Sequence, residues 1–170
     1  MCSAGALARE VLEENRLADI TKDVDFNTLI PEMKDWNNGK GIDIDSWIQC
    51  MANHKVLVGC SRILWPSFIE HDGCILLGGS VDEARYQGFL KSAKGDRRVA
   101  EATMNHLHVL HLFATELPTR ELVLYVGRLM KEIWQAKARH DFPNRSVTVF
   151  FPEEDDLELD EYEITVFQER

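Results

Sequence analysis

Residues 67–79, SFIEHDGCILLGG, distinguish a mixed chain from an all-helical one. Two short apolar runs, Phe68-Ile69 and Cys74-Ile75-Leu76-Leu77, flank Asp72-Gly73. An Asp-Gly pair supplies the positive φ angles of a two-residue hairpin turn, so the stretch predicts two antiparallel strands. Helical periodicity surrounds it. Upstream, Val56, Leu57, Cys60, Ile63 and Leu64 repeat at helical spacing, and Pro66 closes that helix by restricting Trp65. Before them, Ile44, Trp47, Ile48 and Met51 fall at i, i+3, i+4 and i+7 behind Asp43, a natural N-cap. Phe26, Leu29, Ile30 and Met33 also follow helical spacing, with Pro31 in the first turn and Asn37-Asn38-Gly39 as the stop. Residues 4–18 predict a modest helix through Leu7, Val11 and Leu12.

Downstream, Ser80-Val81-Asp82-Glu83 reads as a capping box that opens a helix ending near Lys91. A second helix is expected over 96–113. The longest is expected over 119–138, where Leu122, Val123, Val126, Leu129, Met130, Ile133 and Trp134 make the buried stripe. Strands over 146–151 and 162–168 finish the chain as a hairpin. The expected architecture is one α+β domain over residues 1–170, with a small antiparallel sheet of about four strands covered by six or seven helices.

Composition bounds the function. The chain has 170 residues, 45% of them hydrophobic, which suits a folded domain with a sizeable core. Nineteen Lys and Arg against 29 Asp and Glu leave a net charge of −10. That balance counts against nucleic-acid phosphates and anionic membranes as partners. Eight acids crowd into residues 153–163: Glu153, Glu154, Asp155, Asp156, Glu158, Asp160, Glu161 and Glu163. They occupy the connection between the last two strands, where they could attract a basic protein surface. Four cysteines, at 2, 50, 60 and 74, form no C-x-x-C pair. Cys50, Cys60 and Cys74 lie among apolar residues and are expected to be small buried hydrophobes. The first twenty residues lack the apolar core of a signal peptide, and no run is long enough to span a membrane, so a cytoplasmic setting is expected.

No motif forces a reaction. His106, His108 and His111 lie in NHLHVLHLF. On a helix, His108 and His111 share a face; on a strand, His106 and His108 do, as in metal-binding H-x-H pairs. The preceding pattern favours helix, so no metal ligand set and no cofactor are expected. Glu70-His71-Asp72 could move protons if their pKa values were shifted, but on a strand His71 points away from the two acids. The alternative role for Asp72 is turn chemistry. Gly78-Gly79-Ser80 lacks phosphate-loop spacing and is followed by two acids. Arg85, Lys91, Lys94, Arg97 and Arg98 form a basic patch that could pair with the acidic connection within the chain or across a dimer. Ser61 lies in GCSR rather than in a nucleophile elbow. Trp36, Trp47 and Trp134 are core by periodicity. Trp65, beside Pro66 at a helix-to-strand junction, could be half exposed and serve as a partner anchor, although packing is the favoured expectation for it too.

Trp65, Pro66, Phe68, Glu70 and Gly73 carry a Trp-Pro-x-Phe-x-Glu segment followed by an acidic-Gly turn. In this the stretch from Trp47 to Leu77 resembles a family of small bacterial proteins with no assigned activity. The resemblance implies a bacterial, cytoplasmic setting and directs attention to residues 65–73.

The resulting expectation is a soluble, acidic, non-enzymatic protein-binding domain, of immunity-protein, inhibitor or regulatory character. Its partner-binding residues would be Trp65, Phe68, Glu70, His71, Asp72, Glu153, Glu154, Asp155 and Asp156. A homo-oligomer joined through the basic patch and the acidic connection is the first alternative. A hydrolase using His108 and His111 with a metal, or Glu70, His71 and Asp72, is the second.

Overall fold

The computed structural model describes residues 22–79, 81–112, 117–154 and 156–169. The helix expected over 4–18, and residues Ser80 and Asp155, lie outside the described residues. The chain divides into two compact units, with the boundary between Met51 and Ala52.

In the first unit, the Asp25 carboxylate caps a single α turn, Phe26–Leu29, by accepting from Asn27 N at 3.0 Å and Thr28 Oγ1 at 2.9 Å. Pro31 has no amide proton to continue that ladder, and a 3-10 turn over Pro31–Asp35 follows and buries Met33. Trp36–Gly39 closes the segment with Asn37 and Asn38 both at φ 56°. Asparagine tolerates this left-handed region because its short side chain bonds locally. The single helix expected from Pro31 is therefore a series of turns. Helix α1, Ile44–Met51, starts as the sequence predicts: Asp43 accepts from Ser46 N at 2.8 Å and Ser46 Oγ at 3.0 Å.

The second unit holds the sheets. Helix α2, His54–Leu64, is capped by Asn53 and ends before Pro66. Strands β1, Phe68–His71, and β2, Cys74–Leu77, form the expected hairpin, with Asp72 at φ 48° and Gly73 at φ 75°. Helix α3, Glu83–Ser92, is capped by Asp82, whose carboxylate accepts from Arg85 N at 3.0 Å. Helix α4, Arg97–Met104, ends at Asn105, and strand β3, Leu107–His108, follows. The expected helix over 96–113 thus stops early, with a 3-10 turn at Val109–Leu112 after the strand. Helix α5, Arg120–Asp141, is capped by Thr119 and is the longest of the described elements. Strands β4, Val147–Phe150, and β5, Glu163–Gln168, pair antiparallel across the acidic connection.

The fold class is α+β. Among the described residues there are five α-helices of eight residues or more, one single α turn at Phe26–Leu29, a left-handed turn at Trp36–Gly39, and two antiparallel sheets. The sheets have orders β1-β2 and β3-β5-β4, in place of one sheet of about four strands. Side chains make the seam between them. Glu101 and Asn105, four residues apart on one face of α4, are both fully buried. Glu101 accepts from Ile75 N of β2 at 2.6 Å, and from Gln168 N of β5 at 3.1 Å. Asn105 accepts from Leu77 N at 2.7 Å and donates to Ile75 O at 2.7 Å and Val166 O at 3.0 Å. Backbone groups that would otherwise lack partners inside the protein are thereby satisfied. On the other side of the sheet, Gln135 of α5 donates from Nε2 to Val147 O at 2.7 Å and accepts at Oε1 from Val149 N at 2.9 Å.

The core lies between α5 and the three-stranded sheet. Val123, Met130 and Trp134 meet Val149, Phe151, Tyr162, Ile164 and Val166, all at most 3% exposed. Gly127 is required there. A Cβ at that position would lie 2.1 Å from Phe151 Cζ, so only a bare backbone lets the ring seat against the helix. Among the cysteines, Cys74 is buried, Cys60 half-buried and Cys50 exposed, so the expected burial fails at Cys50. No helix among the described residues is long and apolar enough to cross a membrane.

Candidate functional site

The hairpin tip holds three of the sequence candidates and separates them. Asp72 accepts from Tyr86 Oη at 2.9 Å, from Arg97 Nε at 3.1 Å and from Arg97 Nη2 at 2.9 Å. The Tyr86 hydrogen bond and then the Arg97 guanidinium hold its carboxyl below the usual aspartate range. Burial pushes the Tyr86 phenol up, so it stays protonated and donates. His71 turns the other way. It pairs with Glu83 at 2.9 Å and meets the Tyr86 ring edge-on at 4.8 Å. Glu70 pairs with Arg145 at 2.6 Å. These side chains tie the hairpin to its surroundings: Asp72 to Arg97 of α4 and Tyr86 of α3, His71 to Glu83 of α3, and Glu70 to the loop after α5. They do not converge on a common reacting atom, as proton transfer requires.

Phe68 and Trp65 also part company. Phe68 is buried and packs edge-on against Trp134 at 6.5 Å, so it belongs to the core. Trp65 is 52% exposed, with Lys137 Nζ 5.4 Å from its ring centroid and the His140 ring at 6.4 Å. At the opposite end of α2, its first turns carry Val56, Leu57 and Val58 at 63%, 66% and 71% exposure. The helix packs by its C-terminal end, through Cys60, Ile63 and Leu64. Val58, Ile63, Pro66, Leu77, Leu107 and Trp134 then line a mostly apolar groove of about 480 Å³, with Arg62 at its wall.

The acidic connection is partly drawn into the fold. Glu153 accepts from Lys131 Nζ at 2.8 Å and Arg128 Nε at 3.0 Å. Desolvation pushes its carboxyl up, but the two cations outweigh it and leave it below the usual range. Glu158 and Glu161 close a capping box on the 3-10 turn Leu159–Glu161. Glu163 pairs with His108 at 3.3 Å. Glu154, Asp156, Glu158, Asp160 and Glu161 remain exposed. Asp155 lies outside the described residues. The basic patch is similarly engaged: Arg97 holds Asp72, and Arg98 reaches Glu169 at 3.6 Å and the Phe167 ring at 4.8 Å.

The histidines differ most from expectation. Because α4 ends at Met104 with Asn105 as its cap, His106 lies just before strand β3 and His108 within it, rather than on a helix. His108 faces Glu163 across the β3–β5 pair. His106, His108 and Glu163 are the group that could hold a metal ion among the described residues. His111 sits on the following 3-10 turn, its ring 4.8 Å from that of His108.

Sequence reasoning missed Glu101, Asn105 and Gln135. The local pattern does not single out the first two, because RRVAEATMN reads as an ordinary amphipathic helix, with Ala100 and Met104 packing inward beside Glu101. No family model, no curated protein and no solved structure matches the chain.

Proposed function

We propose that this chain is a non-enzymatic protein-binding domain that docks its partner on the apolar face formed by α2 and Trp65. The observation that carries this reading is the exposure of Val56, Leu57, Val58 and Trp65, each more than half open to solvent, with Val58 also lining an apolar groove. Contiguous apolar surface with a polar rim is a mark of interaction sites, and a half-exposed tryptophan is a frequent energetic anchor. Arg62 and Lys137 supply the rim. The exposed acids of the β4–β5 connection would act at longer range, steering a basic partner and raising the association rate. The divergence of Glu70, His71 and Asp72 counts against the acid–base hydrolase reading. A second copy of this chain is the competing occupant.

The test is affinity capture with four forms of the protein: the natural chain, Leu57→Asp, Trp65→Ala, and the combined Glu154→Gln, Asp156→Asn and Glu158→Gln variant. A partner should bind the natural chain and be lost with Leu57→Asp, while Trp65→Ala should cost about 2 kcal/mol of affinity or more. The charge variant should bind the same partner with a slower association rate and a flatter salt dependence. A partner held equally well by Leu57→Asp would refute the docking face. Sedimentation across protein concentration separates self-association from binding to another protein.

A further inference from the structure

We propose that His106, His108 and Glu163 form a site for a divalent transition-metal ion, with zinc the best match to the donor set. His106, just before β3, and His108, within it, flank Leu107, which lines the groove, and their donor atoms converge on one side. Antiparallel pairing sets Glu163 directly opposite His108. One donor atom from each of the three side chains lies within 4.8 Å of the other two. His108 Nε2 and Glu163 Oε1 are 3.3 Å apart. Two donors bound at about 2.0–2.1 Å to a tetrahedral ion stand roughly 3.4 Å apart, so this pair is already at binding separation.

The rings are also held in the right tautomer. His106 Nδ1 lies 2.6 Å from Thr103 O, and His108 Nδ1 lies 2.6 Å from Asp160 O. A carbonyl has no proton to give, so each Nδ1 donates. In a neutral imidazole this leaves the lone pair on Nε2. Metal-binding histidines hold their second nitrogen in this way, which orients the ring and raises its basicity. A simple His–Glu ion pair would account for His108 but gives His106 no role.

Two imidazoles and one carboxylate favour zinc and its neighbours over magnesium or calcium, which take oxygen donors. The three donors leave a fourth position for water, as in open zinc sites. Asp160 and Glu161, both exposed on the adjoining turn, add negative potential where a cation would approach. His111 stands outside the trio. The site shares no side chain with the partner face, so either reading can fail without the other.

The test uses the full chain without added histidines, stripped with a chelator and titrated with Zn²⁺ by calorimetry, then with Co²⁺ by visible absorption. One Zn²⁺ per chain and the intense absorption of four-coordinate Co²⁺ are expected. His108→Ala and Glu163→Gln should each weaken binding by about 100-fold, and His111→Ala by less than about tenfold. His106→Ala alters an exposed side chain, so it provides a variant whose fold is secure; it too should weaken binding by at least about tenfold. Absence of saturable Zn²⁺ binding would overturn the proposal. So would an affinity unchanged in both His106→Ala and Glu163→Gln.

Discussion

Replacing Asn105 with leucine tests the side-chain seam between the two sheets. Leucine has the same number and branching of side-chain heavy atoms as asparagine and no polar atom, and its bulkier methyl groups add an overpacking cost in the same direction. Asn105 is fully buried and makes three hydrogen bonds to backbone, at 2.7, 2.7 and 3.0 Å. The substitution leaves Leu77 N, Ile75 O and Val166 O without this partner, in a place that water does not reach. Each such buried group costs about 1–3 kcal/mol, so the summed loss is about 3–6 kcal/mol once partial relaxation is allowed. Domains of this size are stable by about 5–15 kcal/mol in total, so the variant should be close to unfolding. Urea denaturation followed by circular dichroism is the assay, and the midpoint should fall by about 1–3 M. Amide exchange adds a local readout, because the Leu77 amide should lose protection before the β4–β5 amides do. A midpoint within the scatter of the natural protein, with Leu77 still protected, would refute the claim that side chains hold this seam.

Three other outcomes are expected. Gly127→Ala should destabilise the protein by about 1–3 kcal/mol, because overpacking against Phe151 outweighs the roughly 1 kcal/mol gained in helix propensity; a raised melting temperature would contradict this. Asp72 is depressed in the folded state, so its stabilising contribution is present above the ordinary value of 3.8 and is lost as pH falls through the lower folded value. The stability difference between the natural chain and Asp72→Asn, measured by urea titration at a series of pH values, should therefore be largest at neutral pH and shrink below about pH 4. Glu153→Gln, which breaks two exposed pairs with Arg128 and Lys131, should shift stability by less than about 1 kcal/mol in the same assay.

The parts of this structure that were legible in sequence rest on local chemistry. Asp72-Gly73 specifies its own turn, Asp43 caps the helix that follows it, and the apolar period over 119–138 survives because α5 packs along its whole length. Elements that depend on distant partners were not legible. The helical pattern through residue 105 gives no reason to stop at Met104. The stop comes from Asn105, whose amide bonds to two strands far along the chain, and from the pairing of Leu107 with Ile164. That early stop takes His106 and His108 off the helix and brings their donor atoms together beside Glu163. Glu163 was visible only as one more acid in a charge run. The acidic connection read as partner-facing surface or as a match for the basic patch over 85–98, yet Glu153 and Glu163 are held by Arg128, Lys131 and His108 from other elements. Helical spacing favours packing for Trp65, yet the helix ends against Pro66 and leaves the ring 52% exposed. Phe68, one strand residue into the hairpin, alternates inward.

The Gln135 amide has a consequence for behaviour at high concentration. A strand at the margin of a sheet presents open amides and carbonyls that another molecule can extend, and this is how ordered aggregates begin. On β4 that margin is occupied by one side chain, which matches the donor and acceptor of Val147 and Val149 as an incoming strand would. Gln135→Leu would leave VTVFF, residues 147–151, as an apolar β-forming stretch with an open flank. A variant that folds normally when dilute but forms thioflavin-positive fibres when concentrated would show that this glutamine keeps the protein from polymerising.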